Sequence, residues 1–196
     1  MKKGAATATR HEVRFTGFGG QGMVVMGYIL GRAAAVYDGK SATMTQSYGP
    51  EARGGASSTQ VVIADGKIHY PYVIEPNVLV GMSQEGYDKH RTNLADDGFL
   101  LYDEDLVALA PDEKAKKIYK IPATRFAEEL GRKIVANIVM LGFFSALTDM
   151  VDDEAFRKAI TDAVPKGTTE LNLNAYDKGR EHALSLLEGE KAKAKK

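Results

Sequence analysis

Apolar positions change their period along this chain, and the changes mark out its elements. From His11 to Thr16 they alternate with polar residues, as in a half-buried strand. Met23 to Ala35 is the most apolar run; it is too short to span a bilayer, contains Arg32, and reads as a buried helix. Ser41 to Thr45 has the composition of a second strand, followed by a loop-like stretch from Gln46 to Ser57 whose length favours a functional role. Thr59 to Ala64 and Lys67 to Val73 predict a β-hairpin around Asp65-Gly66, because a type I′ turn needs positive φ at both central positions. Asn77 to Met82 predicts a buried strand, and Ser83 an N-cap for a helix to about Leu94. Phe99 to Tyr102 and Lys117 to Ile121 predict two more strands. From Thr124 the period becomes helical, through Phe126, Leu130, Ile134, Ile138, Leu141, Phe144 and Leu147. Asp152 predicts the cap of a helix ending before Pro165, and a last helix runs from about Thr169 to Leu187. Strands alternating with helices, plus one inserted hairpin, predict an α/β fold with a mainly parallel sheet and helices on both faces.

Composition narrows what such a fold can do. A length of 196 residues with 44% hydrophobic content suits one domain, expected over 11–188, between a flexible N-terminus (1–10) and a Lys-rich flexible tail (189–196). The 26 basic and 26 acidic side chains cancel, so no global field attracts nucleic acid or an anionic membrane. The absence of cysteine excludes a disulfide, a thiol nucleophile and an iron–sulfur cluster held by this chain's own thiolates. Gly4 to Arg10 lacks the apolar region of a signal peptide, so the expected compartment is the cytoplasm.

The first chemical candidate is Gly17-Phe18-Gly19-Gly20-Gln21-Gly22, a G-x-G-x-x-G joining the first strand to the apolar helix. Such glycines allow a tight turn, close approach of backbone to an anion, and free N–H groups at the positive end of a helix. A dinucleotide site also wants a carboxylate at the end of the second strand, where Met44-Thr45-Gln46 has none; Asp38 precedes Gly39 and falls in a turn. Three readings stay open: a dinucleotide site, glycines serving packing alone, and an anion-binding loop of a shared active site. The second candidate is Ser47-Tyr48-Gly49-Pro50-Glu51-Ala52-Arg53-Gly54-Gly55. There Arg53 either forks onto phosphate or carboxylate, or pairs with Glu51 or another chain.

Together the two motifs closely resemble the gamma subunit of 2-oxoacid:ferredoxin oxidoreductases. The likeness continues through Asp65-Gly66, Asn137 to Gly142 and Glu170 to Asn174. The form SYGPEARGG is most like the 2-oxoglutarate branch; pyruvate, 2-oxoisovalerate and indolepyruvate enzymes are the alternatives within the family. The resemblance implies a Rossmann-like fold in a complex that converts a 2-oxoacid to an acyl-CoA with thiamine diphosphate and passes electrons through iron–sulfur clusters to ferredoxin. It implies thiamine-binding alpha and beta subunits carrying the thiamine diphosphate and magnesium, a ferredoxin-like delta subunit, and cluster ligands outside this chain. No catalytic residue and no metal site is expected here. Gly17, Gly19, Gly20, Gln21, Gly22, Tyr48, Gly49, Arg53 and Gly54 are the expected ligand-binding residues, CoA being the candidate at a shared site. The competing classes are a free-standing NAD-dependent oxidoreductase and a ligand-free scaffold.

Other residues carry less. His11, His69, His90 and His182 lack metal-ligand spacing, and no G-x-S-x-G supports a hydrolase. Tyr70 and Tyr72 suggest an exposed aromatic edge suited to subunit contact. Asn137, an amide in an apolar helix, either ties that helix to the glycine loop or faces solvent.

Overall fold

A computed structural model describes residues 9–48 and 56–194. Among these residues six strands form one sheet: β1 (Arg10–Phe18), β2 (Ser41–Tyr48), β3 (Ala56–Ala64), β4 (Val78–Gly81), β5 (Phe99–Asp103) and β6 (Lys117–Ile121). Their order is β2-β3-β1-β4-β5-β6. β1, β4, β5 and β6 run parallel to their neighbours in turn, while β3 lies antiparallel between β1 and β2. The helices are α1 (Met23–Arg32), α2 (Gln84–His90), α3 (Ala123–Glu129), α4 (Ala136–Thr148), α5 (Asp153–Ala163) and α6 (Thr169–Ala194). This is the expected α/β architecture with an inserted antiparallel hairpin.

Strand alternation divides the core. Val13, Phe15, Val61, Ile63, Val78, Val80 and Leu101 face the main core, which α1, α4, α5 and α6 close. Leu79, Leu100 and Tyr102 point to the other face and pack against Tyr87 of α2 and Val107. Nearly all of α4 is buried, and it lies on α6 with backbones in contact. A β-carbon on Gly142 would overlap the Tyr176 carbonyl, and one on Gly179 the Val139 carbonyl. Two predicted caps are present. Asp152 accepts from the N–H groups of Glu154 at 2.9 Å and Ala155 at 3.3 Å, and Ser83 Oγ accepts from Gly86 N–H at 3.2 Å.

The hairpin is not where local turn chemistry puts it. Both edges of β3 are taken, by β1 and by β2, so no edge remains for Lys67 to Val73 to pair with after Asp65-Gly66. That segment instead crosses the sheet, pinned by polar side chains. Arg10 donates to the carbonyls of Tyr70 and Tyr72 at 3.0 and 3.1 Å. Gln60 Oε1 accepts from Val73 N–H at 3.3 Å, and Glu12 Oε2 from Ile74 N–H at 2.6 Å. The true hairpin is β2–β3, and both strands reach into the stretch Gln46 to Ser57 that reads as loop. Tyr70 and Tyr72 are exposed, with ring centroids 5.5 Å apart.

Candidate functional site at the end of the sheet

Register brings the two motifs to one place. Gly17 pairs with Ser57, which pairs on its other side with Tyr48, and Phe18 pairs with Ala56. The glycine turn after β1 and the residues joining β2 to β3 therefore leave the sheet at the same end. Gly17, Gly19, Gly20, Gln21 and Gly22 lie in or beside one turn, and the Tyr48 backbone ends a strand two places away. Gly49, Arg53 and Gly54 lie outside the described residues, as does the Tyr48 side chain.

The turn has a defined construction. Gly20 has φ +96° and Gly22 φ +78°, a region that L side chains enter only under strain. Gly22 is the N-cap of α1 and, being glycine, brings no capping side chain to the first-turn N–H groups, which have no partner within the helix. Gln21 spans the turn. Its Oε1 accepts from Phe18 N–H at 2.6 Å, and its Nε2 donates to the Met82 carbonyl just past β4 at 2.9 Å. Expected as a ligand-binding side chain, Gln21 has its amide engaged at both ends inside the protein. Gly17 makes room for it, since a β-carbon there would lie 2.6 Å from Gln21 Oε1.

Two cavities flank the turn, of about 420 and 430 Å³, and both include Gly20 and Ile134 in their walls. Met82, Thr124 and Lys133 line the first. Thr124 is fixed by buried Asp103, whose Oδ2 accepts from its N–H at 2.9 Å and its hydroxyl at 2.6 Å. Burial pushes the Asp103 carboxyl above the ordinary aspartate range. Val25, Arg132, Asn137 and Asn172 line the second. Asn137 Nδ2 lies 3.5 Å from the Gly22 carbonyl oxygen, so the tie between helix and turn, one of the two readings open from the sequence, is the one present. Arg132, Lys133 and Ile134 were missed by sequence reasoning. Their signal was a pair of cations and a large hydrophobe directly after a turn glycine, Gly131, with φ +83°.

The histidines lie elsewhere. Arg14 Nη1 approaches His90 Nδ1 at 2.6 Å, on the face of the sheet covered by α2. His182 packs between Phe126 and Phe143. Among the described residues no three His, Asp or Glu side chains converge as metal ligands. The sheet order also removes the geometry of a dinucleotide site. There the second strand neighbours the first and its terminal carboxylate reaches the ribose, whereas here β3 separates β1 from β2. No helix among the described residues is long and apolar enough to cross a membrane.

Residues 12–182 match the pyruvate ferredoxin/flavodoxin oxidoreductase family. The chain belongs to that family. Within it, the chain is 55% identical over 90% of its length to the 2-oxoglutarate synthase subunit KorC of Methanocaldococcus jannaschii, covering 96% of that protein. It is 38% identical to the ketoisovalerate oxidoreductase subunit VorA of Methanothermobacter thermautotrophicus, covering 91% of this chain and 38% of that longer one. The gamma subunit of a keto/oxoacid ferredoxin oxidoreductase from Geobacter sulfurreducens superposes with a TM-score of 0.83 at 42% identity, over 91% of this chain and 98% of that one. A 2-oxoglutarate:ferredoxin oxidoreductase from Magnetococcus marinus, whose structure holds 2-oxoglutarate, CoA and succinyl-CoA, shares the fold at a TM-score of 0.79 and 22% identity, over 90% of this chain and 31% of that one. As a gamma-type member of the pyruvate ferredoxin/flavodoxin oxidoreductase family, the chain is one subunit of a multisubunit oxidoreductase.

Proposed function

We propose that the chain is the gamma subunit of a cytoplasmic 2-oxoglutarate:ferredoxin oxidoreductase, which decarboxylates 2-oxoglutarate oxidatively to succinyl-CoA and reduces ferredoxin. The observation that carries this reading is the departure of both motif loops from one sheet end, in a chain 55% identical to a 2-oxoglutarate synthase subunit. The partners are alpha and beta subunits, a ferredoxin-like delta subunit, and ferredoxin as acceptor of the complex.

The side chains decide which cofactors this subunit suits. Iron–sulfur clusters need thiolates, and the chain has no cysteine. Magnesium with thiamine diphosphate needs clustered oxygen ligands, which the described residues do not assemble. Neither group fits, and we assign both to the partner subunits. CoA fits better, because its phosphates suit the N–H groups of a helix N-terminus and a nearby cation, and α1 begins at the glycine turn with Arg132 on the adjoining cavity wall. There Gly20, Gly22 and Arg132, with Arg53 and Tyr48 from the second motif, would hold the nucleotide end and leave the thiol for the acyl group made on the partner's thiamine.

One observation favours a second reading. The Gln21 amide locks the turn to Met82 from inside, as suits a rigid brace against a partner's active site. Co-purification of the chain with its neighbours, followed by assays with several 2-oxoacids, CoA and a ferredoxin substitute, tests the proposal. Preference for 2-oxoglutarate supports it, and turnover of another 2-oxoacid alone overturns the substrate assignment.

A further inference from the structure

β2 ends the sheet: β3 pairs with one side of it, and among the described residues no strand takes the other. Such an edge presents a row of N–H and C=O groups that another strand can take up, and proteins commonly blunt it with lysine, proline or a bulge. The far edge follows that practice, since β6 carries Lys117 and Lys120. β2 does not. Ser41 to Tyr48 holds no charge and no proline, and it pairs with β3 residue for residue without a bulge. Exposed apolar side chains stand on both faces beside this edge. On the α1 face, Tyr28 and Val36 are 46% and 58% exposed, and with Met44 they line an apolar groove of about 270 Å³. On the other face, Thr43 Oγ1 donates to the Pro71 carbonyl at 3.3 Å, which sets the exposed pair Tyr70 and Tyr72 against β2. The charges that border the edge are cancelled within the chain. Lys40 Nζ meets Asp38 Oδ2 at 2.5 Å, and Arg32 Nη2 meets Asp162 Oδ2 at 2.8 Å.

We infer that the edge is taken by a second copy of this chain, its β2 pairing antiparallel with this one about a two-fold axis at Met44, so that two sheets become one. A two-fold contact requires a patch that complements itself. β2 is such a patch, because a strand without charge, bordered by cancelled charges, meets nothing in its own copy that repels it. Opposite residues of an antiparallel pair share a face, so the axis falls on a residue and not between two. Centred on Met44, the pairing sets methionine on methionine between the two apolar grooves. It also sets Thr43 opposite Thr45 and Ser41 opposite Ser47, hydroxyl pairs that strands favour.

Equilibrium sedimentation of the purified chain should give a dimer. Tyr28→Glu, at an exposed position, should raise its dissociation constant at least tenfold with the far-ultraviolet circular dichroism unchanged. A second variant reads the register itself. The chain has no cysteine, so Met44→Cys carries its one thiol. Opposed residues of an antiparallel pair lie about 4.5–5.5 Å apart at Cα, within reach of a disulfide. Mild oxidation should therefore convert most of Met44→Cys to a covalent dimer that a reductant splits, while Ser185→Cys, exposed on α6, stays mostly monomeric. In the assembled complex, Met44→Cys should cross-link to its own copy. A monomeric wild type, or failure of Met44→Cys to cross-link, overturns the proposal, as does its cross-linking to a different subunit of the complex.

Discussion

Gly22 and Asn137 occupy one space: the Asn137 amide nitrogen lies 3.5 Å from the Gly22 carbonyl oxygen, and a β-carbon on Gly22 would overlap that same nitrogen. The contact joins the mouth of the glycine turn to the most buried helix of the fold, so the turn's position is set from the core.

Gly22→Ala should therefore destabilise the chain for two separable reasons, positive φ and overlap with Asn137. The expected loss is more than ~1 kcal/mol by urea unfolding. Gly22→Ala combined with Asn137→Ala should recover the overlap part, and Gly20→Ala, at φ +96° but in open space, should show the conformational part alone. Equal losses in the Gly20 and Gly22 single variants would contradict this account.

Gln21→Ala removes both the acceptor for Phe18 N–H and the donor to Met82 O. The expected cost is about 1 kcal/mol, because the part-buried Met82 carbonyl loses its donor while the exposed Phe18 N–H can turn to water. Amide exchange at Phe18 should quicken by more than that at β5, which makes no bond to Gln21. Uniform acceleration across the sheet would argue against a local clamp.

Burial first, then the nearby Arg14 guanidinium, hold the His90 imidazole down from 6.5 to about 4. Arg14 donates only if His90 Nδ1 carries a lone pair, so the folded state keeps this ring neutral. The unfolded chain takes up its proton near pH 6.5 and the folded chain only near pH 4, so the unfolded state binds more protons between those values. The His90 contribution to stability is thus complete above about pH 6.5 and is lost as pH falls toward 4. Unfolding free energies of the wild type and His90→Gln, compared at pH 7 and pH 4.5, should show the steeper acid loss in the wild type. An imidazole resonance titrating near 6.5 would refute it.

Arg53→Ala in the assembled complex separates ligand binding from bracing. Loss of a charged hydrogen bond to a CoA phosphate costs about 1.5–3 kcal/mol, which raises the KM for CoA roughly tenfold or more. An unchanged KM with weakened subunit assembly would assign Arg53 to the interface.

Much of this could be read from the chain because local and long-range preferences agree. The strand, glycine turn and apolar helix from Arg10 to Arg32 fold as the period demands, and Ser83 and Asp152 cap the helices they precede. Asp65-Gly66 failed as a hairpin signal because turn chemistry is local, whereas β3 is claimed on both sides by strands distant in sequence. The cavity beside Gly22 was illegible for the same reason. Val25, Asn137 and Asn172 come from three helices, and only their packing brings them together. Arg132, Lys133 and Ile134 carried a visible signal, two cations and a large hydrophobe directly after a glycine, that periodicity had absorbed into a helix.

The most direct measurement is 2-oxoglutarate-dependent reduction of a ferredoxin substitute by the partner subunits, with and without this chain. The account predicts no activity from the chain alone, with or without NAD, and CoA-dependent turnover only when it is restored to its partners. Oxidation of a metabolite by the isolated chain, or equal turnover in its absence, would contradict it.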